Sequence, residues 1–118
     1  MKKTSIEYLQ DILSSIEMIV KYMDGVTWEM FVEDLEKQDA VVRRFEIIGE
    51  ASSRLEKGFR VQYEMIPWKK IVGLRNILIH EYDQVELDHI WQVLEKGELE
   101  SLRDGVGKIV AEIGEKNE

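Results

Sequence analysis

Four side chains within one short stretch, Gly73-Leu74-Arg75-Asn76-Ile77-Leu78-Ile79-His80-Glu81-Tyr82, are of types that do chemistry on a phosphate: Arg75, Asn76, His80 and Tyr82. The guanidinium of Arg is planar, always charged and binds phosphate in a bidentate way. The imidazole of His, with an ordinary pKa of about 6.5, suits proton transfer near neutral pH. Together they supply what metal-free RNA cleavage needs. A base takes the proton from the ribose 2′-OH, an acid protonates the leaving 5′ oxygen, and a cation stabilises the charge building on the phosphate. The products of such a reaction are a 2′,3′-cyclic phosphate and a free 5′-OH. Asn76 could fix the His80 tautomer or hold a phosphate oxygen.

The surroundings of these residues are apolar. Ile71, Val72, Leu74, Ile77, Leu78 and Ile79 run around them, and a helix apolar on most sides is buried or faces a partner. A charge there needs a partner, because removing it from water uncompensated is costly. Arg75 and Tyr82, seven residues apart, fall within roughly 20° of each other around a helix, whereas Arg75 and His80, five apart, diverge by about 140°. One straight helix therefore does not aim both at one phosphate. A bend near His80, combined with a second copy of the helix across a two-fold axis, would let two Arg and two His line one cleft, with one His80 acting as base and its mate as acid. The structural alternative is that Arg75 pairs with Glu50 or Glu46 and locks two helices, with His80 a hydrogen-bonded end residue and Tyr82 a buried ring with a bonded hydroxyl.

The pattern Arg75-x4-His80-x-Tyr82, with Asn76 directly after the Arg, resembles the motif of HEPN-domain proteins, most closely the HepT toxins of two-gene toxin–antitoxin modules. Gly49-Glu50-Ala51 after Ile47-Ile48, the Ile66-Pro67-Trp68 approach to the motif and Trp91 fit the same family, so the resemblance spans nearly the whole chain. It implies a ribonuclease acting on mRNA or tRNA, with Arg75 and His80 catalytic and no metal or other cofactor. It also implies a partner, a minimal nucleotidyltransferase antitoxin that transfers AMP from ATP onto the motif tyrosine, here Tyr82. Each added nucleotide brings bulk and negative charge beside Arg75 and His80 and competes with the RNA phosphate. Tyr8, Tyr22 and Tyr63 lack this neighbourhood. Some similar bundles instead accompany a nucleotidyltransferase as noncatalytic partner subunits, docking protein or nucleotide; the intact Arg75-x4-His80 favours the enzyme.

Composition sets the wider bounds. A chain of 118 residues fits one domain, residues 1–118, with one real core. The absence of cysteine excludes disulfides and thiolate metal sites, and with His80 and His89 the only histidines a zinc site is short of ligands. No apolar run approaches a membrane span and no signal-peptide pattern opens the chain, so a cytoplasmic location is expected. The net charge of −8 argues against general nucleic-acid binding, but it is unevenly distributed. Residues 43–80 carry 8 basic and 4 acidic side chains, whereas residues 1–42 carry 4 and 9 and residues 81–118 carry 4 and 11. A basic patch ending at the motif, with Arg43, Arg44, Arg54, Lys57, Arg60, Lys69 and Lys70 upstream, could bind phosphate at one place in a protein that repels it elsewhere.

The elements that must position the motif read as helices throughout. Thr4-Ser5-Ile6-Glu7 is a capping box, followed by a stripe of Ile6, Leu9, Leu13, Ile16, Val20 and Met23, widened by Ile12 and Ile19, and a stop at Asp24-Gly25. Thr27 caps a second segment, with Val26 and Phe31 placed as a hydrophobic staple and Phe31 and Leu35 pointing inward. Asp39 is placed to cap a fresh start, with the stripe Val41, Phe45, Ile48, Ser52 and Leu55. Gly49 inside this helix marks a close helix crossing, and Glu50 beside it could be exposed, could partner an Arg, or could orient the motif helix. Residues 57–65 read as a loop, and Pro67 opens the motif helix, with Trp68 in the core. Two further stripes, Leu87, Ile90, Trp91 and Leu94, then Leu99, Leu102, Val106, Ile109, Val110 and Ile113, are separated at Gly97. The expected fold is all-α, an up-and-down bundle of about four long helices, some broken, forming a two-fold homodimer.

Overall fold

The computed structural model describes residues 3–80 and 84–116, with side chains left undescribed for residues 77–80, 84–86 and 115–116. It is an all-α bundle in which the described residues form α1 (Ser5–Met23), α2 (Trp28–Glu33), α3 (Leu35–Arg54), α4 (Lys57–Gln62), α5 (Trp68–His80), α6 (Gln84–Glu95) and α7 (Glu98–Lys116). Two central contacts organise it: α3 lies against α1 on one side and α5 on the other, while α7 packs on α1 and α6 on α7. The result measures 48 × 28 × 28 Å, longer than it is wide. No helix among the described residues is long and apolar enough to cross a membrane.

Local chemistry sets the helix ends. At α1 the Thr4 hydroxyl accepts from the Glu7 amide at 3.3 Å while the Glu7 carboxylate accepts from the Thr4 amide at 3.4 Å, so two donors without intrahelical partners are satisfied reciprocally. Gly25 closes α1 at φ 72°, a backbone region where a Cβ is strained. The Lys37 ammonium donates to the Tyr22 carbonyl at 2.9 Å, and the buried Gln38 amide donates to the carbonyls of Phe31 and Val32, both at 2.9 Å. These side chains from α3 take up carbonyls left over at the ends of α1 and α2.

The α1 stripe is rotated from the expected one. Leu9, Ile12, Ile16 and Ile19 are completely buried, whereas Val20 reaches 37% exposure. Contact with both α3 and α7 centres the buried face on the Ile12 and Ile19 side. Two expectations in the next segment are corrected. Asp34, not Asp39, caps α3, its carboxylate accepting from the Lys37 amide at 3.0 Å. Leu35 thereby becomes the first residue of α3 and faces solvent, at 66% exposure, because the chain turns at Asp34 and carries the apolar face to Val41, Phe45 and Ile48. The expected loop at residues 57–65 contains the short helix α4, whose following residue Tyr63 is buried. Phe59 and Tyr63 meet at a tilt, 4.8 Å between ring centroids, and this apolar pair gives a polar segment a reason to coil.

The approach to α5 is fixed from below. The buried Trp68 donates its indole N–H to the Tyr63 carbonyl at 3.0 Å, and the Pro67 carbonyl accepts from the Ile71 amide at 3.1 Å. Pro67 thus stands just ahead of the helix, where a missing N–H is harmless. Trp91 of α6 packs against both Trp28 and Phe31, at 5.6 and 5.9 Å between ring centroids. The break between α6 and α7 falls at Gly97, with φ 74°.

Candidate functional site

Gly49 is the reason Arg75 sits where it does. A Cβ on Gly49 would collide with the Cβ of Arg75 and come within 3.0 Å of its Cγ. α3 and α5 therefore cross with the Arg75 stem lying directly on the bare Gly49 backbone, the close crossing the sequence led one to expect. The next residue on α3, Glu50, is carried to the guanidinium, and Arg75 Nη1 donates to Glu50 Oε2. Beside it on α5 the Asn76 amide oxygen accepts from Arg75 Nε at 3.1 Å and from Nη2 at 2.6 Å.

These contacts fix the aim of the guanidinium. Its Nε/Nη2 edge is taken by Asn76, and one N–H of Nη1 by Glu50. One N–H on each of Nη1 and Nη2 has no partner among the described residues. The Arg75 side chain is 22% exposed, shielded enough for the charge to count and open enough to meet an anion. Arg54, one turn beyond Glu50 on α3, closes the other side: its Nε and Nη2 lie 3.0 Å from Glu50 Oε1. One carboxylate thus stands between two guanidiniums. The hydrogen bond from Arg54, then that from Arg75, holds the Glu50 carboxyl below the ordinary glutamate range, and its partial burial opposes them. Around this pair lies a depression of about 570 Å³ whose rim includes Lys3, Tyr8, Asp11, Arg43 and Glu46.

Of the residues singled out in the sequence, Arg75 and Asn76 are brought together, and Asn76 here orients Arg75. His80 is the last residue of α5; its side chain, like all of Tyr82, lies outside the described residues. His89 is exposed and lines a different, larger cavity of about 880 Å³ between α5 and the α6–α7 pair, with Leu74, Val93 and Leu102. Arg75 is not among that cavity's lining residues, so the larger hollow and the Arg75–Glu50 pair are separate. Arg54 is expected only as one cation of the basic patch upstream of the motif, not as the partner of Glu50. Its signal was the four-residue step from Glu50, which places the two on one face of α3.

Comparison with known proteins gives the family. The profile of the family described as Ribonuclease HepT-like matches residues 12–109. A Caldanaerobacter subterraneus protein named as a candidate RNase is 41% identical over 92% of this chain and 96% of its own. A Thermococcus cleftensis protein named probable ribonuclease HepT is 36% identical over 87% of this chain and 99% of its own. A Methanocaldococcus jannaschii protein, whose name joins a gamma-glutamylcyclotransferase to a candidate RNase, is 42% identical over 96% of this chain; here the chain spans only half the relative's length. No solved structure matches the chain. With its profile matched across most of the sequence and such relatives aligned nearly end to end, the chain belongs to the HepT-like ribonuclease family.

Proposed function

We propose that the protein is a metal-independent endoribonuclease, the toxin of a toxin–antitoxin pair, in which Arg75 and His80 act on RNA. The observation that carries this is the fixed aim of Arg75. Its guanidinium is anchored on two sides by Glu50 and Asn76 and keeps an N–H on each of Nη1 and Nη2 without a partner among the described residues, the preorganised cation that a developing phosphorane charge needs. His80 takes the proton from the ribose 2′-OH. A second copy of the chain, meeting the first across a two-fold axis, supplies the His80 that protonates the leaving 5′ oxygen. A nucleotidyltransferase antitoxin neutralises the pair by transferring AMP to Tyr82, placing phosphate where Arg75 would otherwise receive RNA.

The chemistry is tested by the ends it leaves. Single-stranded RNA incubated with the protein in excess EDTA should yield fragments with 2′,3′-cyclic phosphate and 5′-OH ends. A requirement for Mg²⁺, or fragments ending in a plain 3′-OH, would sink the scheme. The antitoxin step is tested by mass spectrometry of protein co-expressed with a minimal nucleotidyltransferase, where added AMP should map to Tyr82 and vanish in Tyr82→Phe.

A second function is favoured by the Arg75–Glu50 ion pair itself, which ties α3 to α5 as a structural lock would. In it the bundle is a noncatalytic partner subunit of a nucleotidyltransferase. It requires the protein to leave RNA intact while Arg75→Ala lowers its stability.

A further inference from the structure

The Arg54–Glu50–Arg75 arrangement goes beyond a single phosphate-binding cation. Glu50 Oε1 accepts from Arg54 and Oε2 accepts from Arg75, so the two guanidiniums stand on opposite oxygens of one carboxylate. Two hydrogen bonds and the width of a carboxylate separate them, roughly 8 Å at most between the donating nitrogens. That is comparable to the spacing of neighbouring phosphates along a single strand. They differ in setting. Arg75 is mostly enclosed at the α3–α5 crossing, whereas the Arg54 side chain is 61% exposed on the open wall of the same depression. One suits a phosphate undergoing reaction, the other a phosphate passing by.

Charge supports the direction. The rim and floor of the depression carry the cations Lys3, Arg43, Arg54 and Arg75 against the acids Asp11, Glu46 and Glu50, a local excess of positive charge in a chain of net charge −8. Arg43 and Arg54 are eleven residues apart on α3 and so lie within roughly 20° of each other around its axis, about 16 Å apart along it. The Arg75 crossing at Gly49 falls between them. α3 thus carries a cation on either side of the enclosed one, Arg43 paired with Glu46 and Arg54 with Glu50.

Resting on the ribonuclease function proposed above, we infer that Arg54 is a second RNA-binding residue. It holds the phosphate next to the one at Arg75, and Glu50 spaces the two cations so that a single strand, rather than an isolated phosphate, is engaged.

The test is the salt dependence of binding to a single-stranded RNA oligonucleotide carrying 2′-O-methyl ribose throughout, which lacks the attacking hydroxyl and stays intact. Each ion pair made with a single strand contributes about 0.7 to the slope of log K against log salt. Arg54→Gln should bind more weakly than the parent at low salt and flatten the slope by about 0.7, while Arg54→Lys should restore most of it. Arg103→Gln, which removes the same charge from the far helix α7, should keep the parent's slope. Circular dichroism melts confirm that each variant is folded, which the exposed position of Arg54 favours. A parent that binds while Arg54→Gln keeps the parent's affinity and slope overturns this inference alone, as does equal flattening by Arg103→Gln. A parent with no affinity for the oligonucleotide overturns the proposed function and the inference with it.

Discussion

At the scale of the residue, Glu50 decides how Arg75 is presented. Glu50→Gln keeps the shape but removes the charge that holds both guanidiniums. Turnover should fall because Arg75 loses its fixed aim, while RNA binding should hold or tighten because a negative charge leaves the depression. Steady-state kinetics should therefore show kcat dropping without a rise in KM, and a rise in KM alone would contradict a positioning role. The same residue makes a prediction in pH. Bonds from Arg54 and Arg75 lower the Glu50 pKa in the folded state, so the stability it adds is present above the unfolded glutamate range and is lost as pH falls through the lower folded value. The carboxylate is 45% exposed, so the effect is at most about 1 kcal/mol and shrinks with salt. Thermal melts of parent and Glu50→Gln should differ at pH 7 and converge as the pH drops below about 4; a gap that widens on acidification would contradict the ion-pair account. The sequence singled out Arg75 and Asn76 but assigned Asn76 to His80 or a phosphate oxygen rather than to Arg75, and left Glu50 open between bystander and partner. What settled its contact was the α3–α5 crossing, and a crossing joins residues 25 positions apart that no local pattern links.

At the scale of the element, one glycine sets the crossing. Gly49→Ala puts a methyl against the Arg75 stem, so α5 must shift away from α3. Overpacking of this kind costs about 1–3 kcal/mol, outweighing the roughly 1 kcal/mol that Ala gains over Gly inside a helix. Gly107, inside α7, has open space around its missing Cβ, and Gly107→Ala should stabilise by up to about 1 kcal/mol. Melting temperatures moving in opposite directions for the two variants would support the crossing; a stabilised Gly49→Ala would contradict it. Caps give a second contrast. Asp34→Ala should destabilise by about 1 kcal/mol, because it leaves the Lys37 amide without its acceptor. Asp39→Ala, on the exposed face of α3, should change little, and a larger loss at Asp39 would contradict the assigned helix start. The helical stripes, the Thr4 and Thr27 caps and the glycine stops were legible because each is written within a few neighbouring residues. Asp34 and α4 were not. The choice between two nearby acidic caps depends on where α2 docks on α3, and α4 exists because Phe59 and Tyr63 find the core, which a polar sequence window does not reveal.

At the scale of the molecule, an acidic bundle carries a cation-lined depression at the α3–α5 crossing, and its larger cavity, lined by Lys70, Lys96 and Lys108 among others, lies away from it. In the proposed function RNA lands on the α3–α5 face, where Arg54 and Arg75 line the depression of a chain whose net negative charge repels it elsewhere. If the working unit is a dimer, specific activity should fall on dilution through the dimer dissociation range, in step with the mass from analytical ultracentrifugation. Activity that is constant per chain down to the monomer would contradict the shared cleft. The most direct measurement is cleavage of total cellular RNA in excess EDTA by the purified protein, beside Arg75→Ala and His80→Ala variants shown to be folded and of the same mass in solution. The parent should cleave, and each variant should lose at least about a hundredfold, the size expected when transition-state charge or proton transfer loses its group. Equal cleavage by all three proteins would contradict the proposed function, as would intact RNA with a parent whose Tyr82 is shown by mass to be unmodified.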